Sequence, residues 1–315
     1  MLRFCLTRSA ALACLVAAAG ACQQPSKASS GPEIARTVYL MGTEARLFVE
    51  ADQRAQALHA SEAALRSLER AELRLSTWRP EAELFQVNAG AQPSPRLAAE
   101  LAEAAAWTAR TDGAFEPRCA ALVAAWGLRS EARIPSPAEL AVAVEARTQW
   151  EEGGFGKGAA LRDAAQALAA APGVRRARID LGGQWLLHGE GLFTLEVADP
   201  DHRDRSIGSL RLPAGSVATS GNSERGIEVE GRRIGHILDP RTGQPAPDFG
   251  SVTVVHPDPF TADCLATAFL VLGPERALAW AEAEPELGVL VIERGPTGPR
   301  VRVSTELRPH FHPLP

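Results

Sequence analysis

His236 and Asp239 stand three residues apart in the run G-H-I-L-D-P-R-T-G, which follows V-A-T-S-G-N-S-E-R from Val217 to Arg225. An imidazole titrates near 6.5, so a histidine beside a carboxylate can take a proton from a hydroxyl at neutral pH. The same pair is equally compatible with a structural histidine bonded to backbone. Pro240 biases Asp239 towards an extended or turn conformation. The segment therefore reads as a strand end that delivers a histidine into a loop, where binding and reacting groups concentrate. Asp263 and Thr267 form a second pair, four apart in an apolar helical stretch, which puts both oxygens on one helix face. One carboxylate plus neutral oxygens and water is enough for magnesium. A helix cap with a packed threonine is the other reading of the same spacing.

Three glycine-containing turns could bring backbone close to a ligand. Gly153-Gly154-Phe155-Gly156-Lys157-Gly158 leads into a helix, whose N-terminal N–H groups favour anions, and Lys157 adds a full charge. Its spacing is neither a P-loop nor a dinucleotide fingerprint. Asp180-Leu181-Gly182-Gly183 ends a strand in a turn open to close approach. Thr111-Asp112-Gly113-Ala114-Phe115-Glu116-Pro117 places an aromatic between two carboxylates, either to read a nucleoside or as a plain surface turn.

Several elements must position these groups. Strand patterns at Val38–Leu40 and Ala45–Val49 predict a hairpin around Gly42-Thr43. Leu58, Leu65, Leu68 and Leu75 predict a helix over Arg54–Leu75 with those leucines inward. A second helix is expected over Pro95–Arg110, with Leu97, Leu101, Ala105 and Thr108 inward and Pro95 in its first turn. Further helices are expected over 135–145, 157–171, 263–272 and 275–283, and strands over 177–181, 193–197, 209–212, 227–229, 251–255 and 288–292. The order is neither alternating βα nor all-β. It predicts an α+β fold, one large domain of mixed sheets covered by helices.

The start of the 315-residue chain bears on compartment. Arg3 and Arg8 precede a short apolar run, Ala10 to Ala19, too short to remain as a membrane span. Ala19-Gly20-Ala21-Cys22 follows, which resembles a bacterial lipoprotein signal over 1–21, with acylation at Cys22. Residues 22–33 read as a flexible tether, and the fold is expected over 34–315. By resemblance to sorting rules, Gln23 leans towards the outer membrane, on the periplasmic side. The formal charge is −5, with basic residues scattered, which argues against nucleic acid as a partner. Beyond Cys22 only Cys119 and Cys264 remain, expected as two buried free thiols, and no Cys/His cluster has zinc-ligand spacing.

Taken in order, the motifs resemble the ApbE-type flavin transferases, the FAD:protein FMN transferases. Met41-Gly42-Thr43, Leu75-Ser76-Thr77-Trp78, T-D-G-A-F-E-P followed by Trp126-Gly127, G-G-F-G-K-G, L-G-G, A-T-S-G-N-S-E-R, H-I-L-D-P-R-T-G and A-D-C-L-A-T-A follow that family's series from Val38 to about Gly273. The resemblance implies magnesium-dependent transfer of FMN from FAD to a threonine hydroxyl of an acceptor protein, with release of AMP. It implies metal held by Asp263, Thr267 and the Gly154 carbonyl, and His236 as base with Asp239 orienting it. It implies FAD bound by Met41, Trp78, Ala114, Phe115, Glu116, Glu151, Lys157, Asn222 and Arg225. Four positions depart from the family pattern, each with Asp expected: Glu116, Glu151, Arg162 and Asn222. A lipoprotein that only stores FAD, or hydrolyses it to FMN and AMP, is the alternative these departures leave open.

Overall fold

The computed structural model describes residues 31–222, 226–229 and 231–314. The signal, Cys22, most of the tether and Arg225 lie outside the described residues. Gly31–Pro315 forms one compact unit. The fold starts before the expected position 34: Gly31 N–H donates to Glu50 Oε1 at 2.7 Å and Pro32 O accepts from Ala51 N–H.

The chain opens with the hairpin β1 (Glu33–Leu40) and β2 (Thr43–Ala51). A helical stretch follows: α1 (Arg54–Leu75), α2 (Glu83–Asn88), α3 (Pro95–Arg110), α4 (Ala120–Ala125), α5 (Pro137–Glu145) and α6 (Gly156–Ala170). Strands then dominate: β3 (Val174–Leu181), β4 (Gln184–Gly189), β5 (Phe193–Ala198), β6 (Ser206–Leu212), β7 (Gly215–Gly221), β8 (Gly226–Val229), β9 (Arg232–Gly235) and β10 (Gly250–His256). After α7 (Pro259–Leu272) and α8 (Pro274–Ala283) come β11 (Gly288–Gly295), β12 (Gly298–Val303) and the short β13 (Phe311–Pro313). The expected α+β class is the one observed.

Among the described residues, an antiparallel sheet runs in the order β1-β2-β3-β4-β7-β10-β11-β12, beside a smaller sheet β13-β6-β5 and the hairpin β8-β9. Alternation of side chains sorts the large sheet into two faces. Val252, Val254, Val289 and Val291 pack with α7 and α3 through Phe269, Leu265 and Leu101. Leu47, Val49 and Ile179 pack with α1 and α6 through Leu68, Leu161 and Leu168. On the opposite face, Val217, Leu290 and Ile292 meet Leu195, Leu210 and Leu212 of the small sheet.

Two helix faces differ from the expected ones. On α1 the buried stripe is Ala57, Ala60, Ala64, Leu68, Ala71 and Leu75, while Leu58 is half exposed. The alanines let α6 approach closely, so steric fit overrides leucine spacing. On α3 the buried face carries Leu97, Leu101, Ala104 and Trp107, and Ala105 and Thr108 are only partly buried. The large indole sets the rotation. Helix α7 starts four residues earlier than expected, because Asp258 accepts from Thr261 N–H and Pro259 occupies the first turn. Asp263 is therefore not the cap of this helix.

Candidate active site

Lysine and carboxylate meet in the first turns of α6 and α7. Asp263 is buried, its Oδ2 accepts from Gly158 N–H at 2.9 Å, and its Oδ1 lies 3.6 Å from Lys157 Nζ. A Cβ on Gly158 would lie 2.5 Å from Pro259 O and 2.8 Å from Phe260 Cα, so only glycine lets the two helices come this close. One turn after Asp263 on α7, Thr267 meets Gly154, which lies just before α6: a Cβ on Gly154 would stand 3.3 Å from Thr267 Oγ1 and 2.9 Å from Phe115 Cε2. The expected trio of Gly154, Asp263 and Thr267 is thus brought together. It offers oxygen donors with a single carboxylate, and no group of three His, Cys, Asp or Glu suited to a metal occurs among the described residues. That donor set fits a hard cation that keeps part of its water.

These groups line a cleft of about 1060 Å³. Its wall carries Met41, Trp78, Ala114, Phe115, Glu116, Glu151, Gly154, Lys157, His236, Asp263 and Thr267. Met41 adopts φ 52°, a left-handed conformation that costs a non-glycine residue about 1–2 kcal/mol. Glu72 holds it by accepting from Met41 N–H at 2.9 Å. Trp78 is 45 % exposed, and the Arg129 guanidinium lies 5.6 Å from its ring centre. An exposed indole on a cleft wall is a stacking surface for a planar ring.

His236 leaves β9 and faces the cleft together with Ile237, Leu238 and Pro240. The loop behind it is closed by Asp239 N–H to Gln244 O at 2.7 Å, Ala246 N–H to Ile237 O at 2.8 Å, and Trp126 Nε1–H to Gly243 O at 2.7 Å. Asp239 does not take the expected orienting role. Both its carboxylate oxygens accept from Arg241, Oδ1 from the backbone N–H and Nε and Oδ2 from Nη2, and Asp239 is absent from the cleft wall. The turn after Pro240 places the arginine within reach, and a bidentate arginine pair outcompetes an imidazole.

Two other expected FAD residues differ in detail. Glu116 lines the cleft, but its buried carboxylate accepts from Arg118 through N, Nε and Nη2, and Arg147 Nη1 lies 3.6 Å away. It orders its own loop. Asn222 is buried against Gly235 and is not among the residues of the cleft wall. Arg225 falls outside the described residues. Glu151 does border the cleft. Burial pushes its carboxyl up to about 7, Arg129 opposes that shift, and neighbouring Glu152 adds to it.

Sequence reasoning missed a polar cluster at the mouth. Arg129 bonds Glu151, donates to Thr77 Oγ1 at 2.6 Å and reaches Glu152 Oε1 at 3.4 Å; Thr77 donates to Glu152 Oε2 at 2.7 Å. Glu151 and the S-T-W motif pointed near it, but Arg129 lies in a loop without pattern. Cys119 and Cys264 are free thiols; Cys264 is buried as expected, whereas Cys119 is only partly buried and borders the cleft.

Known proteins share the family and fold of this chain. Residues 41–291 match the ApbE family. The chain is 29 % identical to an FAD:protein FMN transferase of Treponema pallidum, covering 90 % of each, and 29 % identical to one of Vibrio cholerae, covering 78 % of this chain and 82 % of that one. It is 28 % identical to an FAD:protein FMN transferase of Rhodobacter capsulatus over 88 % of its own length, but spans only 58 % of that protein. The crystal structure of the ApbE protein from Thermotoga maritima superposes with a TM-score of 0.79 at 25 % identity, covering 89 % of this chain and 99 % of that one. The flavin transferase ApbE from Vibrio cholerae superposes with a TM-score of 0.74 at 24 % identity, covering the same shares. With a family match over most of its length and a shared fold, this chain belongs to the ApbE family.

Proposed function

We propose that this protein is an FAD:protein FMN transferase that moves FMN from FAD to a threonine hydroxyl of a target protein and releases AMP. The observation that carries this reading is one cleft whose wall holds Asp263, Thr267 and Lys157 on one side and His236, Met41, Trp78 and Phe115 around it. The relatives named above are FAD:protein FMN transferases by name, which supports the flavin-transfer part of this reading.

In the reaction, the threonine Oγ bonds to the riboflavin-side phosphorus of FAD. The bond from that phosphorus to the bridging oxygen breaks, and the oxygen leaves with AMP and the electron pair. His236 takes the threonine proton. Lys157 offsets charge on the phosphate oxygens, and Trp78 offers its exposed face to the ring system. Asp263, Thr267 and the Gly154 carbonyl would hold magnesium, which supplies Lewis-acid polarisation of the diphosphate when bound. Glu116 braces its loop through Arg118, so Ala114 and Phe115 keep their place on the wall.

The same reading extends to location. Cys22 is the acylated residue of a lipoprotein held on the periplasmic side of a bacterial membrane, with the outer membrane favoured over the inner by Gln23. No described helix is long and apolar enough to cross a membrane. Metabolic labelling with a palmitate analogue checks the anchor: label is expected on the native chain and absent from Cys22→Ser.

The testing assay incubates the protein with FAD, magnesium and a peptide carrying an Asp-Gly-x-x-Ser/Thr-Gly-Ala-Thr segment. A mass gain of one FMN on the peptide is expected. AMP release without peptide labelling would instead assign the hydrolase reading.

A further inference from the structure

Arg162 stands one helical turn after Gly158 on α6, and both face α7. Its guanidinium makes a two-pronged pair with Asp258, Nε to Oδ1 at 2.7 Å and Nη2 to Oδ2 at 2.6 Å. The same guanidinium makes a second fork with Glu103 of α3, both bonds at 2.7 Å. It also lies 4.6 Å from the ring centre of Phe260, in the first turn of α7. Asp258 in turn caps α7 through Thr261 N–H at 2.9 Å. One side chain therefore ties three helices together at the residue where α7 begins.

The second tie between these helices is the Gly158 N–H to Asp263 Oδ2 bond. Gly158 and Arg162 are i and i+4 on α6, and Asp258 and Asp263 lie just over one turn apart on α7. The two ties run side by side, so the position of the Asp263 carboxylate depends on where the cap is held. Lys157, beside Gly158, is 30 % exposed in its side chain and sits 3.6 Å from Asp263 Oδ1. Rotating or withdrawing the start of α7 would shift Asp263 relative to both Lys157 and Gly154.

We propose that Arg162 is a positioning residue for the divalent cation: by clamping Asp258 to α6 and α3 it sets the reach of Asp263 and Thr267 to the ion. This rests on the reading that Asp263 and Thr267 hold the ion. Arg162 touches neither the ion nor FAD in this account. It acts through the helix cap, as outer-shell partners do in metal sites. Lysine cannot replace it fully, because a single ammonium lacks the planar fork that grips two carboxylates at once.

The test uses Mn²⁺ as the probe, in the presence of saturating FAD, with binding read from the electron paramagnetic resonance signal of free Mn²⁺. Circular dichroism at the same temperature verifies that each variant is folded. Arg162→Met is expected to weaken Mn²⁺ binding about tenfold or more, the range found for outer-shell partners, and Arg162→Lys to fall between it and the unaltered protein. At saturating Mn²⁺ the Arg162→Met turnover should recover towards the unaltered rate, which a general loss of packing would not permit. Folded Arg162→Met with unchanged Mn²⁺ affinity overturns the proposal. Where Arg162→Met does not fold, Arg162→Lys decides, and unchanged affinity there overturns it as well. Absence of Mn²⁺ binding by the unaltered protein would overturn the metal reading itself and this proposal with it.

Discussion

Gly158 gives its backbone N–H to Asp263 Oδ2 at 2.9 Å, so the first turn of one helix holds the candidate metal carboxylate of another. The contact exists because Gly158 has no side chain to meet Pro259 O. Gly158→Ala forces the helices apart, and overpacking of this kind costs about 1–3 kcal/mol. A lower thermal midpoint by circular dichroism and weaker magnesium-dependent turnover are the expected results. An unchanged midpoint would show that the helices yield freely.

Asp263→Ala is expected to abolish magnesium-dependent turnover while the fold persists. The carboxylate supplies the formal negative charge of the donor set, and its buried neighbours are mostly apolar. AMP release against magnesium concentration, with circular dichroism as control, checks this. Turnover equal to that of the unaltered protein would remove Asp263 from the metal site.

His236→Ala should separate chemistry from binding. Loss of a general base lowers the rate of transfer by about 10²–10⁴-fold, whereas FAD affinity, read by quenching of flavin fluorescence, should change far less. Asp239→Ala should behave differently. Its partner is Arg241 within the turn, so a modest stability loss is expected in place of a large rate effect. A collapse of FAD affinity in His236→Ala without loss of transfer rate would make His236 a ligand contact.

Glu151 predicts a pH dependence. Burial places its carboxyl near 7, above the unfolded value of 4.5. Folding therefore takes up a proton between those values; this contribution to stability is full below pH 4.5 and is lost as pH rises through about 7. FAD is anionic and should bind more tightly when Glu151 is neutral, so its affinity should fall as pH rises through 7. In Glu151→Gln that fall should flatten, and the thermal midpoint should exceed that of the unaltered protein most clearly above pH 7. Parallel profiles for the two proteins would assign the titration elsewhere.

Legibility in the sequence followed the range of the interactions involved. Arg54–Leu75 and Pro95–Arg110 match the observed helices end to end, because propensity, Pro95 and the Ser94 cap act locally. Their buried faces were legible in part: Leu68, Leu75, Leu97 and Leu101 are buried as expected, whereas the Ala stripe of α1 answers to α6 and Trp107 joins the cluster that includes α7 residues. Strands β4 and β7 and the short helices α2 and α4 lacked a clear period and depend on their neighbours for pairing and packing.

The site was read through motifs, and the residues that carry it converge. Asp263, Thr267, Gly154, Lys157 and His236 come from three separate regions of sequence and line one cleft. Asp239 was misread in role, because Arg241 takes its carboxylate, while Glu116 lines the cleft with its carboxylate held by Arg118. Spacing shows which residues are close in sequence but not which partner wins a carboxylate. The Arg129 cluster depended on contacts between loops distant in sequence, which no local pattern reports.

The most direct measurement is mass spectrometry of the threonine-bearing acceptor peptide after incubation with FAD, with and without magnesium, using the unaltered protein and Asp263→Ala. One FMN added to the peptide only when magnesium and the intact carboxylate are both present is the predicted result. Peptide that stays unmodified with the unaltered protein, or that gains FMN equally with Asp263→Ala, would contradict it.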